Sequence, residues 1–63
     1  MLRLEVFIRR VPREDRVVLV SDHYFDDSEF VSIDYVFSLL KRGVMVVTYP
    51  NASLDFKQII WDL

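Results

Sequence analysis

The chain begins with a regular alternation of apolar and polar positions. From residue 2 to residue 9 the side chains repeat with a period of two, which predicts a strand with one face on a core. Pro12 has no amide hydrogen for a sheet, so this strand ends by Val11. The residues at 12–15 (PRED) are typical of a polar turn. The β-branched run at 16–22 (RVVLVSD) predicts a second strand, paired antiparallel with the first and either central in its sheet or covered on both faces.

Further along the chain the apolar repeat lengthens to that of a helix. Five apolar residues fall on one helical face: Phe30, Ile33, Val36, Phe37 and Leu40. They predict a helix over about 28–42. The polar residues at 26–29 supply N-terminal capping groups, and Lys41 and Arg42 suit the negative end of the helix dipole. Gly43 then fits the position just past a helix C-terminus.

The last third of the chain predicts a third strand, followed by one element that fits either a helix or a strand. The run at 44–49 (VMVVTY) is apolar on both faces, which indicates an interior strand. In the tail at 54–63, Phe56 and Ile60 fit both a helix and a strand. Ser53 is a suitable N-cap for the helix alternative.

These elements predict a single small domain over 1–63 of the α/β (α+β) class. The order is β-β-α-β followed by a short helix or strand. One main helix packs on one face of a three- or four-stranded sheet. A crossover through the helix makes the second and third strands parallel, although a fully antiparallel sheet also remains open. Phe7, Tyr49 and Trp61 are then candidates for the other face, as a dimer surface.

Composition favours association with another chain. The protein has 63 residues, of which 52% are apolar, and it has no cysteine. A domain of this length buries only about 60% of the surface that its unfolded chain exposes. The interior therefore cannot take in all the apolar side chains, and we expect a homodimer or another protein partner. Disulfides and thiolate zinc sites are excluded.

No membrane partner is expected from the sequence. A transmembrane helix needs about 18 or more consecutive apolar residues, and the chain has no such run. Its first residues alternate and carry charges, unlike the continuous apolar core of a secretion signal. We therefore expect a cytoplasmic protein.

The segment at 22–30 (DHYFDDSEF) combines four carboxylates, the single histidine and three aromatic residues. It admits three interpretations: capping groups for the helix, oxygen ligands for Mg²⁺ or Ca²⁺, or a surface for a basic groove on a protein partner. The glycine of an EF-hand loop is missing, so we predict no metal site. Trp61 adds a candidate interface anchor. The predicted protein-binding residues are Asp22, Tyr24, Phe25, Asp26, Asp27, Glu29 and Trp61.

Catalysis has little support in the sequence. His23 has the ordinary chemistry of a general base, but no motif places a nucleophile beside it. The one glycine also excludes a glycine-rich phosphate loop. We therefore expect a protein that is not an enzyme and that carries no cofactor. The leading hypothesis is a small protein-binding module, acting as an adaptor, inhibitor or regulator.

The arginines support an alternative hypothesis. Residues 1–16 contain five arginines and three acids, whereas residues 17–40 contain five acids and no lysine or arginine. Four of the arginines flank the first turn: Arg9, Arg10, Arg13 and Arg16. A two-stranded ribbon with such residues suits DNA or RNA. The net charge of −2 makes this alternative weaker than protein binding.

Overall fold

The computed structural model describes residues 4–63 and contains four strands and two helices. In chain order they are β1 (Val6–Arg10), β2 (Val17–Ser21), β3 (Glu29–Val31), α1 (Ile33–Lys41), β4 (Met45–Thr48) and α2 (Leu54–Trp61). The predicted fold class is confirmed. Residues 1–3, where the sequence predicts the start of the first strand, lie outside the described residues.

The strands form one mixed sheet in the order β3-β1-β2-β4. β1 pairs antiparallel with both β2 and β3, whereas β4 lies parallel to β2. The predicted hairpin, the central place of β2 and the parallel crossover through α1 are therefore confirmed. The four strands agree with the predicted three or four, but the fourth is β3 on the far side of β1 rather than a strand in the tail.

Both helices pack on the same face of the sheet. The core there joins alternate residues of the two central strands to buried residues from α1, α2 and the turn before α2. Its fully or almost fully buried members are Val6, Ile8, Val18, Val20, Val36, Leu39, Ala52 and Phe56. The residues in between, such as Phe7 and Leu19, are only partly buried on the opposite side. We call that opposite side the open face.

The predicted start of the main helix is wrong. Residues 29–31 pair with β1 instead, so Phe30 lies opposite Phe7 rather than in the helix. α1 begins at Ile33, and Ser32 is its N-cap because the Ser32 Oγ accepts a hydrogen bond from the Tyr35 amide at 3.3 Å. Ser28, placed at the cap by the sequence, forms a turn with Phe25.

The buried face of α1 also differs from the prediction. Val36 and Leu39 are buried, whereas Phe37 and Leu40 are exposed. Phe30 lies outside the helix, and the side of α1 that faces the core is formed by Ile33, Val36 and Leu39. Gly43 follows the helix with a φ of 82°, a left-handed conformation that favours glycine, as predicted.

The predicted interior position of the third strand is wrong, because β4 is an edge of the sheet. Met45 and Val47 of β4 are exposed on the open face, whereas Val46 and Thr48 on the helix side are partly buried. The open question about the tail is settled in favour of the helix. Ser53 is the N-cap of α2, since its Oγ accepts from the Phe56 amide at 3.2 Å.

Candidate functional site

Phe25 anchors the 22–28 segment over the open face. Its side chain is buried and stacks on Tyr49, with ring centroids 4.2 Å apart and an interplanar angle of 15°. The Arg9 guanidinium lies 5.7 Å from the ring centroid on the same face. Phe25 is therefore a packing residue that fixes the segment, and it is not available to a partner.

An aromatic patch lies beside this anchor, formed by Phe7, Tyr24 and Phe30. Phe7 makes edge-to-face contacts with Tyr24 at 6.0 Å and with Phe30 at 5.5 Å between ring centroids. Tyr24 and Phe30 each keep 64% of their surface exposed. The half-buried Phe7 thus holds two exposed rings in fixed relative positions on the open face.

Two acids of the segment, Asp27 and Glu29, lie away from the aromatic patch. Phe30 and Glu29 are neighbours in β3 and point to opposite faces of the sheet. Asp27 and Glu29 line a groove of about 300 Å³ on the helix side, together with Arg10 and Tyr35. The structure therefore separates aromatic and acidic chemistry to either side of β3, where the sequence predicts one mixed surface.

Asp22 has a structural role at the start of α2. Its carboxylate accepts two hydrogen bonds from Ser53, from the amide at 2.9 Å and from the hydroxyl at 2.5 Å. Burial acts to raise the pKa of Asp22, but the hydrogen bonds from Ser53 outweigh it, so the pKa lies below its ordinary value. Asp22 is therefore occupied by the cap of α2 and is not part of an exposed acidic surface.

Asn51 fixes the other end of the segment, and sequence reasoning missed it. The buried Ser21 hydroxyl donates to the Asn51 Oδ1 at 2.8 Å and accepts from the His23 amide at 3.0 Å. The Asn51 Nδ2 lies 3.4 Å from the Tyr24 carbonyl oxygen, to which it donates. Its position in a turn gave no signal of this contact, which spans almost half the chain.

His23 is exposed and lies near one carboxylate. Its Nε2 is 3.8 Å from the Asp22 Oδ1, but the Ser21 hydroxyl binds Asn51 and the His23 backbone rather than the imidazole. Within residues 4–63, no three side chains of histidine, cysteine, aspartate or glutamate come together in a group able to hold a metal. Among residues 4–63, no serine or threonine hydroxyl donates a hydrogen bond to the imidazole of this histidine.

Two of the four arginines in the nucleic-acid alternative donate hydrogen bonds to carbonyl oxygens of the protein itself. The Arg9 guanidinium donates to the Asp26 carbonyl oxygen at 3.1 Å and covers Phe25. Arg16 donates to the Arg42 carbonyl oxygen at 3.2 Å. Arg10 and Arg13 are exposed, but Arg10 shares its groove with two acids. Nucleic-acid binding stays a prediction, and this geometry adds no support to it.

Trp61 lies apart from the aromatic patch, at the opposite edge of the sheet. It is 84% exposed and lines a groove of about 460 Å³ between α2 and β4, together with Met45, Lys57 and Ile60. The sequence placed Trp61 among the candidates for the open face. The structure places it on the helix side, beside the edge strand β4.

Comparison of the chain with models of known protein families, with curated proteins and with solved structures finds no match. None of the helices formed by residues 4–63 is both long and apolar enough to cross a membrane. The function is therefore inferred from the chemistry of the surface.

Proposed function

We propose that this protein is a small non-enzymatic binding module that holds another protein against its aromatic patch and also associates with itself. The observation that carries the proposal is the exposure of Tyr24 and Phe30 around the half-buried ring of Phe7. Aromatic residues are enriched where protein partners bind most tightly.

The patch suits protein binding because its rings are already ordered. Phe25 and Asn51 fix the 22–28 segment from two sides, and Phe7 packs against both exposed rings. A partner therefore gains apolar contact with little further loss of side-chain freedom. Asp26 and Asp27 are exposed in the same 22–28 segment, with Asp27 across β3 from the patch, and they favour a partner whose basic residues extend beyond the aromatic contact.

The test is affinity purification from an extract of the native host. It compares the tagged parent chain with two tagged variants that each remove one exposed apolar side chain. Phe30→Ala removes a ring of the aromatic patch, and Leu54→Ala removes an 81% exposed side chain at the start of α2. We expect a protein retained by the parent chain and by Leu54→Ala to be lost with Phe30→Ala. With that partner purified, Phe30→Ala should raise Kd by roughly 10-fold or more.

If the parent chain and Phe30→Ala capture equal amounts of the partner, the aromatic patch is not its binding surface. Nuclease treatment of half of each sample separates a protein partner from a nucleic acid. Partners that disappear only after nuclease would favour the arginine alternative, in which Arg10→Ala with Arg13→Ala abolishes retention.

The double variant Asp26→Lys with Asp27→Lys tests the charges of the 22–28 segment. Exposed charges at the rim of an interface act mainly on the association rate. We expect slower association, a weaker dependence of binding on salt and little change in dissociation, measured by surface plasmon resonance with the purified partner. An unchanged association rate would remove these acids from the interface.

A further inference from the structure

β4 is an edge strand that carries no charged side chain. Residues 44–49 carry no charge, and the only proline nearby, Pro50, comes after the strand. The other edge, β3, has three residues and begins with the charged Glu29. Natural proteins keep exposed edges short or charged, because a long apolar edge recruits another strand. The two edges of this sheet therefore differ in their readiness to pair.

The backbone groups available at this edge belong to two residues. The amides of Met45 and Tyr49 donate to the Arg16 and Val20 carbonyl oxygens at 2.6 and 2.7 Å, so alternate residues of β4 face β2. The amides and carbonyls of Val46 and Thr48 consequently point away from the sheet. The residues that flank this stretch offer no free amide for pairing. The Val44 amide donates to the Leu39 carbonyl oxygen, and Pro50 has no amide hydrogen.

We propose that the β4 edge pairs antiparallel with the β4 edge of a second copy of this chain, about a two-fold axis at Val47. In this register Val46 of each copy faces Thr48 of the other. Residues 46 and 48 are symmetric about residue 47, so every outward group between Val44 and Pro50 is paired. A two-fold interface requires such a self-complementary pattern.

The side chains around this edge fit the same arrangement. On the open face, the two Val47 side chains meet at the axis, and Met45, which is 61% exposed, lies across from Tyr49 of the second copy. On the helix side, Trp61 and its groove lie next to the joined edges. Stable dimers bury about 1,200–2,000 Å². Two strands of four residues need these extra contacts to reach that range.

This inference rests on the self-association part of the proposed function and is independent of the aromatic patch. Val47→Lys and Val47→Glu each place two like charges together at the axis, and the exposed position of Val47 allows the monomer to fold. We expect each variant to raise the dimer dissociation constant by about 100-fold or more. The measurement is analytical ultracentrifugation of the full chain over a concentration series, with circular dichroism as the check on folding.

Mixing the two variants makes the test specific for the axis. Val47→Lys and Val47→Glu are expected to form a mixed dimer while each alone stays monomeric, since opposite charges then meet. Phe30→Lys is the matched control, because it places a charge on the open face at the other edge. It should leave the dimer intact. The fluorescence of Trp61, the single tryptophan, should shift to shorter wavelength as the dimer forms.

Two results would overturn the inference, and only the second would also remove self-association from the proposed function. A dimer that resists both Val47 variants but is lost with Phe30→Lys places self-association at another surface. A parent chain that stays monomeric up to about 1 mM removes self-association from the proposed function as well. Binding of another protein to the aromatic patch is measured separately and survives the second result, whereas the first would place the patch in the contact between two copies.

Discussion

Asp22 illustrates how one side chain joins two distant parts of this small protein. It follows the last residue of β2, and its carboxylate binds both the amide and the hydroxyl of Ser53 at the start of α2. The same hydroxyl accepts from the Phe56 amide, whose side chain is buried in the core. One carboxylate thus fixes the helix cap against the end of the sheet.

The lowered pKa of Asp22 makes this contact dependent on pH. A carboxyl with a lower pKa in the folded state stabilises the fold above its unfolded value of 3.8, and this contribution is lost as the pH falls through the folded value. We expect Asp22→Asn to lower the free energy of unfolding near neutral pH. The difference from the parent chain should disappear in acid.

Urea unfolding of both chains at about pH 7 and about pH 2 measures this difference, because Asp22 stabilises the fold only at pH values above its folded pKa. Asp26→Asn is the control, since the exposed Asp26 carboxylate accepts no hydrogen bond from any of residues 4–63. A difference of equal size at both pH values would contradict the role assigned to the Asp22 carboxylate.

The identity of several site residues lay within reach of the sequence, but their roles did not. Tyr24 was predicted as a binding residue and is exposed, whereas Phe25 beside it is buried against Tyr49. Adjacent aromatic residues in a loop have no periodicity that tells the exposed one from the buried one. Only the contact with a turn about 25 residues away decides it.

At the scale of elements, the boundary between β3 and α1 was the main error. Phe30 fits the apolar spacing of the helix, and the polar residues at 26–29 have capping chemistry. Local patterns therefore favoured one long helix. Pairing of Phe30 with Phe7 in β1 overrides them, because it extends the sheet and brings two aromatic rings together.

Ser32→Ala distinguishes the two positions of the helix start by the sign of its effect. As the N-cap of α1, Ser32 binds the Tyr35 amide, and its loss should cost about 1 kcal/mol of unfolding free energy. In a helix that began at residue 28, Ser32 would be an interior residue. Alanine, the best helix former, would then stabilise the protein. Thermal and urea unfolding of both chains measure the sign.

The error over β4 has a different origin. A run that is apolar on both faces is typical of an interior strand, and VMVVTY has that pattern. The order of strands in a sheet depends on long-range pairing, which local sequence does not encode. The helices and the hairpin were predictable because their signals lie within a few residues of one another.

At the scale of the whole molecule, stability depends on very few buried side chains. Phe56 is the largest of the fully buried residues and connects α2 to the central strands. Phe56→Ala should cost about 3–5 kcal/mol, which is close to the entire stability of a small domain. We expect this variant to be largely unfolded by circular dichroism at room temperature.

Ile59→Ala is the matched control, because it shortens an exposed side chain of the same helix. It should lower the free energy of unfolding by less than about 1 kcal/mol. Cooperative unfolding of Phe56→Ala with a similarly small loss would mean that α2 contributes little to the core.

The strand order also has a consequence for how the chain folds. The central strands β1 and β2 are joined by a turn of six residues. β3 pairs with β1 and β4 pairs with β2, and each of these pairs is separated by a longer stretch of chain. Short loops close with the smallest loss of entropy. We therefore expect the sheet to assemble from its middle outwards, with the two edge strands and the surfaces beside them as the last parts to form.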